Sequence, residues 1–366
     1  MNNFYKEDMK FWDESKKKFI GYPCNQKNDF STVFPTLNYN LNNIGEPSIY
    51  SNYKINSKKY ELKVINFFSK IWKINSCNLW SYITNGSTES NIQGLYLARE
   101  AYPLGILYCS KDSHYSIFKA SKILKLPIKI INTLKNGEID YDKLSNSIDT
   151  NYPVIINVNF GTTMKGAFDD INKIMDIIKE KNIENYYVHV DAALAGGYFT
   201  FIDNVNLLFT KYINSMSISL HKFYGIPIPS GIFICEKKFI ESINTEVEYI
   251  FSKDRTLSGS RNGHTALFMN YLIETKGIEG FKEDINYCLE LTEYFIKEYE
   301  KILNKKAWKN ENSITVVFER PSSDIIAKWQ LACENKISHC VILPHITKEI
   351  IDEFIEDLYY YYKYYK

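Results

Sequence analysis

At 366 residues, with 44 Lys and Arg against 43 Asp and Glu, the chain is long enough for one large domain and a smaller one, and its charges nearly cancel. That balance argues against a nucleic-acid stripe or a polyanionic partner and points to a small molecule. The seven cysteines, Cys24, Cys77, Cys109, Cys235, Cys288, Cys333 and Cys340, are odd in number and never spaced C-x-x-C, which argues against a disulfide framework and a zinc knuckle. No metal is expected, and the thiols read as reduced in the cytoplasm.

The first residues, MNNFYKEDMKFWDESKKKF, are too charged for a secretory leader, and no run approaches the ~20 apolar residues of a membrane helix. Up to about Gly45, short helical patterns are broken by Gly21, Pro23 and Pro35 and have no core of their own, so residues 1–50 are expected to pack on something else, such as a second subunit. From Lys58 to Trp72, apolar residues mix with lysines at helical spacing, and Trp80 to Thr84 reads as a short extended entry to a polar turn.

Between about 85 and 235, helical patterns alternate with the runs ILYCS (106–110), IKIIN (128–132), VIINVNF (154–160), YYVHVDA (186–192), SMSIS (215–219) and GIFICE (231–236). Such alternation predicts an α/β domain, over 51–262, around a mostly parallel sheet. Ligands bind such a sheet beyond the carboxyl ends of its strands, so the functional residues are sought just after these runs. After Gly263 a long helix is predicted to about Leu303. Strands in NSITVVFERP and SHCVILPH, beside helices from Asp324 and Thr347, then make 263–366 a small α+β domain.

The residues at those strand ends fit a site for pyridoxal 5′-phosphate. Such a site needs a lysine for the aldehyde, a carboxylate for the pyridine nitrogen, donors for the phosphate and a group flanking the ring. Lys222, in SISLHKFYGIPIPSG, follows a strand and precedes a Gly/Pro turn, where partial desolvation would favour imine chemistry. Alone, a lysine in so lysine-rich a chain is more often a surface residue. Asp191, 31 positions earlier, closes an apolar strand, which is costly without a partner such as a pyridinium N–H, although an Asp there can equally cap a helix. Its small neighbours, Ala193 among them, leave room for a flat ring. Gly86, Ser87 and Thr88, in TNGSTESN before a helical pattern, suit a phosphate, or an ordinary capping box. His114 can stack on the ring or simply hydrogen-bond. Thr162 and Thr163 lie at the same edge.

These strings, with GYP (21–23), SNY (51–53), SKDSHYSIFK, NGEIDYDKL, INVNFGTTMKGAFDD, HVDAALAGG and GSRNGH (259–264), resemble the pyridoxal-phosphate-dependent group II amino-acid decarboxylases, nearest to their histidine and serine branches. The likeness runs from about residue 20 to 357. It implies an aspartate-aminotransferase-like, fold-type I architecture and a homodimer with active sites near the interface. Residue by residue, it implies Lys222 as the Schiff-base lysine, Asp191 as the pyridine partner and His114 as the stacked ring. Gly86, Ser87, Thr88, Ser219 and His221 become expected phosphate contacts, and the Ser258–Arg261 string is expected to reach toward a neighbouring subunit's site. Where the family reads GHK this chain has Leu220, and it carries Ser87 and Ser90 where glycines are usual, which puts phosphate packing and positive φ there in question. The expected reaction is decarboxylation of a small L-amino acid, L-histidine or L-serine first, with an aromatic amino acid, an aminotransferase or an inactive cofactor-binding homologue as alternatives.

Overall fold

The computed structural model describes residues 5–74 and 76–364. The short Ile- and Val-rich runs become strands because most of them bury both faces. In β4 (Val154–Asn159) all six residues are buried. Seven strands form the main sheet: β1 (Leu79–Thr84), β2 (Ile106–Ser110), β3 (Ile128–Ile131), β4, β5 (Tyr186–Asp191), β6 (Ser215–Ser219) and β7 (Gly231–Glu236). Their spatial order is β1-β7-β6-β5-β4-β2-β3, and only β7 runs against its neighbours. Short hairpin strands β8 (Thr245–Val247) and β9 (Ser252–Asp254) follow, and β10 (Thr315–Glu319), β11 (Ala332–Glu334) and β12 (Ile337–Val341) make a second, antiparallel sheet.

The helices are α1 (Lys6–Lys16), α2 (Lys58–Ile71), α3 (Ser87–Ala101), α4 (Tyr115–Leu124), α5 (Tyr141–Ser147), α6 (Ile171–Glu180), α7 (His264–Leu303), α8 (Ser323–Trp329) and α9 (Lys348–Tyr364). In α6 the cause is plain. Asp170 caps it by accepting from Asn172 N and Lys173 N, and Ile171, Ile174, Ile177 and Ile178 recur at helical spacing on its buried side. The long α7 is two helices joined at Gly277, whose φ of 62° only glycine adopts without strain.

The chain divides into two compact units. The larger spans Asn28–Thr163 and Ala167–Phe281 and holds the seven-stranded sheet; Leu95, Leu107, Cys109, Ile155, Phe233 and Cys235 lie in its core. The smaller comprises the segment up to Lys27, Met164–Gly166 and everything from Lys282. Its core gathers Ile20, Phe295, Phe318, Trp329, Cys340 and Phe354. The seven cysteines form no disulfide. Among the described residues no helix is long and apolar enough to cross a membrane. The hairpin β8–β9 and strand β11 were not expected from sequence; each strand has three residues, too few for an alternation to register.

Candidate active site

The site forms where β1, β2, β5 and β6 end, in the larger unit. At the end of β1 the chain turns at Gly86 (φ 126°) into α3, and no side chain caps that helix. The N–H groups that open the helix therefore have no side-chain partner from its N-cap, at the positive end of the helix dipole. Gly86 itself is buried, yet a Cβ built on it would meet no atom within 4 Å. A void thus lies against an uncapped helix start. Ser87 Oγ is 2.7 Å from Ser219 Oγ at the end of β6, which ties the two walls of this cradle.

Neither serine departure strains the backbone, since neither Ser87 nor Ser90 has positive φ. Ser90 turns away to Thr84 Oγ1 at 2.8 Å. Leu220 is fully buried, its N–H bound to Ser230 O. His221 Nδ1 lies 2.8 Å from Ser230 O, and burial holds its pKa below the usual histidine value. Thr88 is half-buried in the first turn of α3.

Asp191 ends β5 with 6% exposure. Its Oδ2 accepts from Asn91 Nδ2 at 2.8 Å and its Oδ1 from Ala193 N at 3.2 Å. The segment after β5 is a short 3-10 turn at Ala195–Gly197 with Leu194 at its N-cap, so Asp191 caps no helix. His114 is the N-cap of α4, where its Nδ1 accepts from Ser116 N at 3.3 Å and meets Ser116 Oγ at 2.8 Å. With Nδ1 accepting, the ring proton sits on Nε2. Burial lowers the His114 pKa, Asp191 acts to raise it and Lys222 to lower it, so both charges fall within reach of this ring. Lys222 is half-buried just past β6, in a turn closed by Gly225 N donating to its carbonyl at 3.1 Å.

The remaining expected residues are less integrated. Thr163 is exposed, and no hydrogen bond among the described residues ties it to the cluster, whereas buried Thr162 accepts from Ala167 N at 3.0 Å. Arg261 is 2% exposed and ion-paired with fully buried Glu61 of its own chain. It braces β1 in place of reaching outward, since Glu61 also accepts from Ile83 N, three residues ahead of Gly86. Ser258 Oγ lies 3.4 Å from Asn85 Nδ2, also in the chain's own turn.

Residues 61–320 match the pyridoxal-dependent decarboxylase conserved domain. The chain belongs to the pyridoxal-dependent decarboxylase family. It is 42% identical to serine decarboxylase 3 of Oryza sativa subsp. japonica, over 94% of this chain and 79% of that one. It is 39% identical to the histidine decarboxylase of Vibrio anguillarum, over 96% and 93%. The fold is that of L-methionine decarboxylase from Streptomyces sp. 590, with a TM-score of 0.88 at 22% identity, covering 97% of this chain and 93% of that one. This decarboxylase is therefore a carboxy-lyase that uses pyridoxal 5′-phosphate on an amino acid.

The residues present fit that cofactor. The void at Gly86 against an uncapped helix start suits its phosphate. The buried Asp191 carboxylate and the half-buried Lys222 amine both act on the His114 imidazole, and Asp191 is tied to the same helix through Asn91. The decarboxylase also carries polar groups that motif reading missed: Asn91, Ser116, His189 and Ser217. Asn91 Nδ2 donates to Ser116 Oγ (2.9 Å) as well as to Asp191, and Asn91 Oδ1 lies 2.5 Å from Ser217 Oγ and 3.0 Å from His189 Nε2. The signal was there in N-x-N, H-x-D and S-x-S-x-S, period-two polar residues inside apolar strands that are buried on both faces.

Proposed function

We propose that this decarboxylase acts on L-serine or L-histidine, with Lys222, Asp191 and His114 as its working residues. The observation that supports this reading most is that Asp191 and Lys222 both act on the His114 ring at the strand ends where Ser219 meets the turn at Gly86 and Ser87. The serine and histidine decarboxylases among its relatives narrow the substrate class. Bound pyridoxal phosphate supplies an electron sink for the pair left at Cα when CO₂ departs.

Lys222 would hold the cofactor's aldehyde through its amine, the position that the substrate amine would take. Asp191 keeps a proton on the ring nitrogen, the condition for a strong sink. His114, neutral with its proton on Nε2, flanks the ring without adding charge. Gly86, Ser87, Thr88, Ser219 and His221 hold the phosphate, and Thr163 and Ala193 border the ring. The assembly is a cytoplasmic homodimer. Its support is the first helix, in which no residue is buried while Met9, Phe11 and Trp12 are more than half exposed.

The test is CO₂ release over the twenty amino acids by cofactor-loaded protein, together with borohydride trapping. L-serine or L-histidine should give the highest rate, and the trapped adduct should map to Lys222 and vanish in Lys222→Ala. A preferred substrate outside these two, or an adduct on another lysine, overturns the corresponding assignment.

A further inference from the structure

Central strands β4, β5 and β6 lie deep in the larger unit, where parallel strands ordinarily carry near-continuous apolar side chains. One face departs from this in two registered rungs. Asn157, His189 and Ser215 stand opposite one another, as do Asn159, Asp191 and Ser217. All six are at most 6% exposed. Burying such groups unpaired costs roughly 1–3 kcal/mol each, so their hydrogen bonds need accounting.

For His189, Asp191 and Ser217 the account runs through Asn91, which α3 lays over the rungs, whereas Asn157 Oδ1 is left without a hydrogen-bond partner among the described residues. The Asn91 amide nitrogen spends both hydrogens, on Asp191 Oδ2 and Ser116 Oγ. That orientation turns Oδ1 toward Ser217 Oγ and His189 Nε2, and both must donate to it. With the His189 proton on Nε2, its Nδ1 accepts from Ser215 Oγ at 2.8 Å. The ring is thereby locked in one neutral tautomer. Gly94 permits this, because a Cβ there would sit 2.4 Å from His189 Nδ1.

We propose that Asn91 and His189 are positioning residues that fix the Asp191 carboxylate in place for the cofactor's ring nitrogen and so keep the shared proton on that nitrogen. Donation into Asn91 Oδ1 by His189 and Ser217 polarises the amide and strengthens the N–H it gives to Asp191. That donation ties Oδ2 of the carboxylate to the helix and fixes the direction in which the carboxylate faces. Without it the carboxylate is free to turn from the ring nitrogen, the proton there is held less firmly, and the ring becomes a poorer electron sink. The inference rests on the pairing of Asp191 with the ring nitrogen proposed above.

The test loads the enzyme with cofactor isotopically labelled at the ring nitrogen and reads that nucleus by NMR, beside steady-state kinetics. Asp191→Asn should move the resonance to the unprotonated position. His189→Leu and Asn91→Leu should move it part of the way in the same direction, with kcat lowered roughly ten-fold and KM changed less than about two-fold. His189→Gln, which can still present a donor to Asn91, should return the resonance toward wild type. A merely structural role would not move this nucleus in graded steps. If Asp191→Asn leaves the resonance unchanged, the pairing of Asp191 itself is wrong. If Asp191→Asn moves it but His189→Leu and Asn91→Leu do not, that pairing stands and the present inference is overturned. Should His189→Leu fail to fold, His189→Asn replaces it, since its shorter amide reaches Ser215 but not Asn91; a wild-type resonance there equally overturns the inference.

Discussion

Sequence alone singles out Asp191 and Lys222 as candidates because Asp191 closes an apolar strand and Lys222 follows one, and a carboxylate or amine at that edge demands a reason. Asp191→Asn keeps the size and removes the charge. Cofactor should still bind through Lys222 and the phosphate donors, while decarboxylation falls at least ten- to hundred-fold, as expected from losing a charge-assisted bond of about 1.5–3 kcal/mol. Asp191→Glu should recover part of that rate in the same CO₂ assay. Near wild-type turnover by Asp191→Asn with cofactor bound would falsify the assignment. Asn91 was not legible in the same way. It sits one turn into a helix where an asparagine looks ordinary, and its partners His189, Asp191 and Ser217 lie 98 to 126 positions away. Only folding brings them together.

At the scale of elements, the main-sheet strands were readable to within a residue at most ends, because buried parallel strands are short, apolar and bounded by turns. The bracing of those elements was not readable. Arg261 lies 200 positions from Glu61, yet the pair is buried, with the guanidinium also donating to Gly45 O at 3.0 Å and lying over the Tyr82 ring. The pair holds three separate stretches at the strand end that leads into the turn at Gly86. Arg261→Ala leaves a buried carboxylate without its cation and should cost about 3–5 kcal/mol of stability, read from the urea midpoint. A loss below about 1 kcal/mol would mean that water reaches Glu61 and the brace is unimportant. Cofactor affinity should fall in parallel, since Ile83 anchors to the same carboxylate.

For the whole molecule, five of the six histidines, His114, His189, His221, His339 and His345, are held below their ordinary pKa, in each case chiefly by burial. Unfolded, each binds a proton near pH 6.5; folded, His189 resists until about 4. The unfolded state therefore holds more protons between those values, and stability rises with pH across that window and is lost on acidification. His189 alone accounts for on the order of 3 kcal/mol. Asp169, pushed up to about 7 by burial, and Glu46, also raised, act in the opposite sense, so the other four histidines set the net slope. Urea midpoints should be lower at pH 4.5 than at pH 6.5, and a flat or reversed trend would show that the acidic pair dominates. Sedimentation should give a dimer, and a fully active monomer would remove the proposed role of the first helix.

The absence of disulfides turns the cysteines into reporters. Cys77 is exposed and should react first with a thiol reagent. Cys109 and Cys235 sit in the core of the larger unit and Cys340 in that of the smaller, their thiols pushed up by burial, Cys109 to about 12. Such thiols react only when the surrounding core opens. Mass-resolved labelling over time therefore dates the opening of each unit separately, with no probe added to the chain. If Cys340 is modified on the same schedule as Cys109 and Cys235, the two units open as one cooperative body; staggered labelling makes them independent.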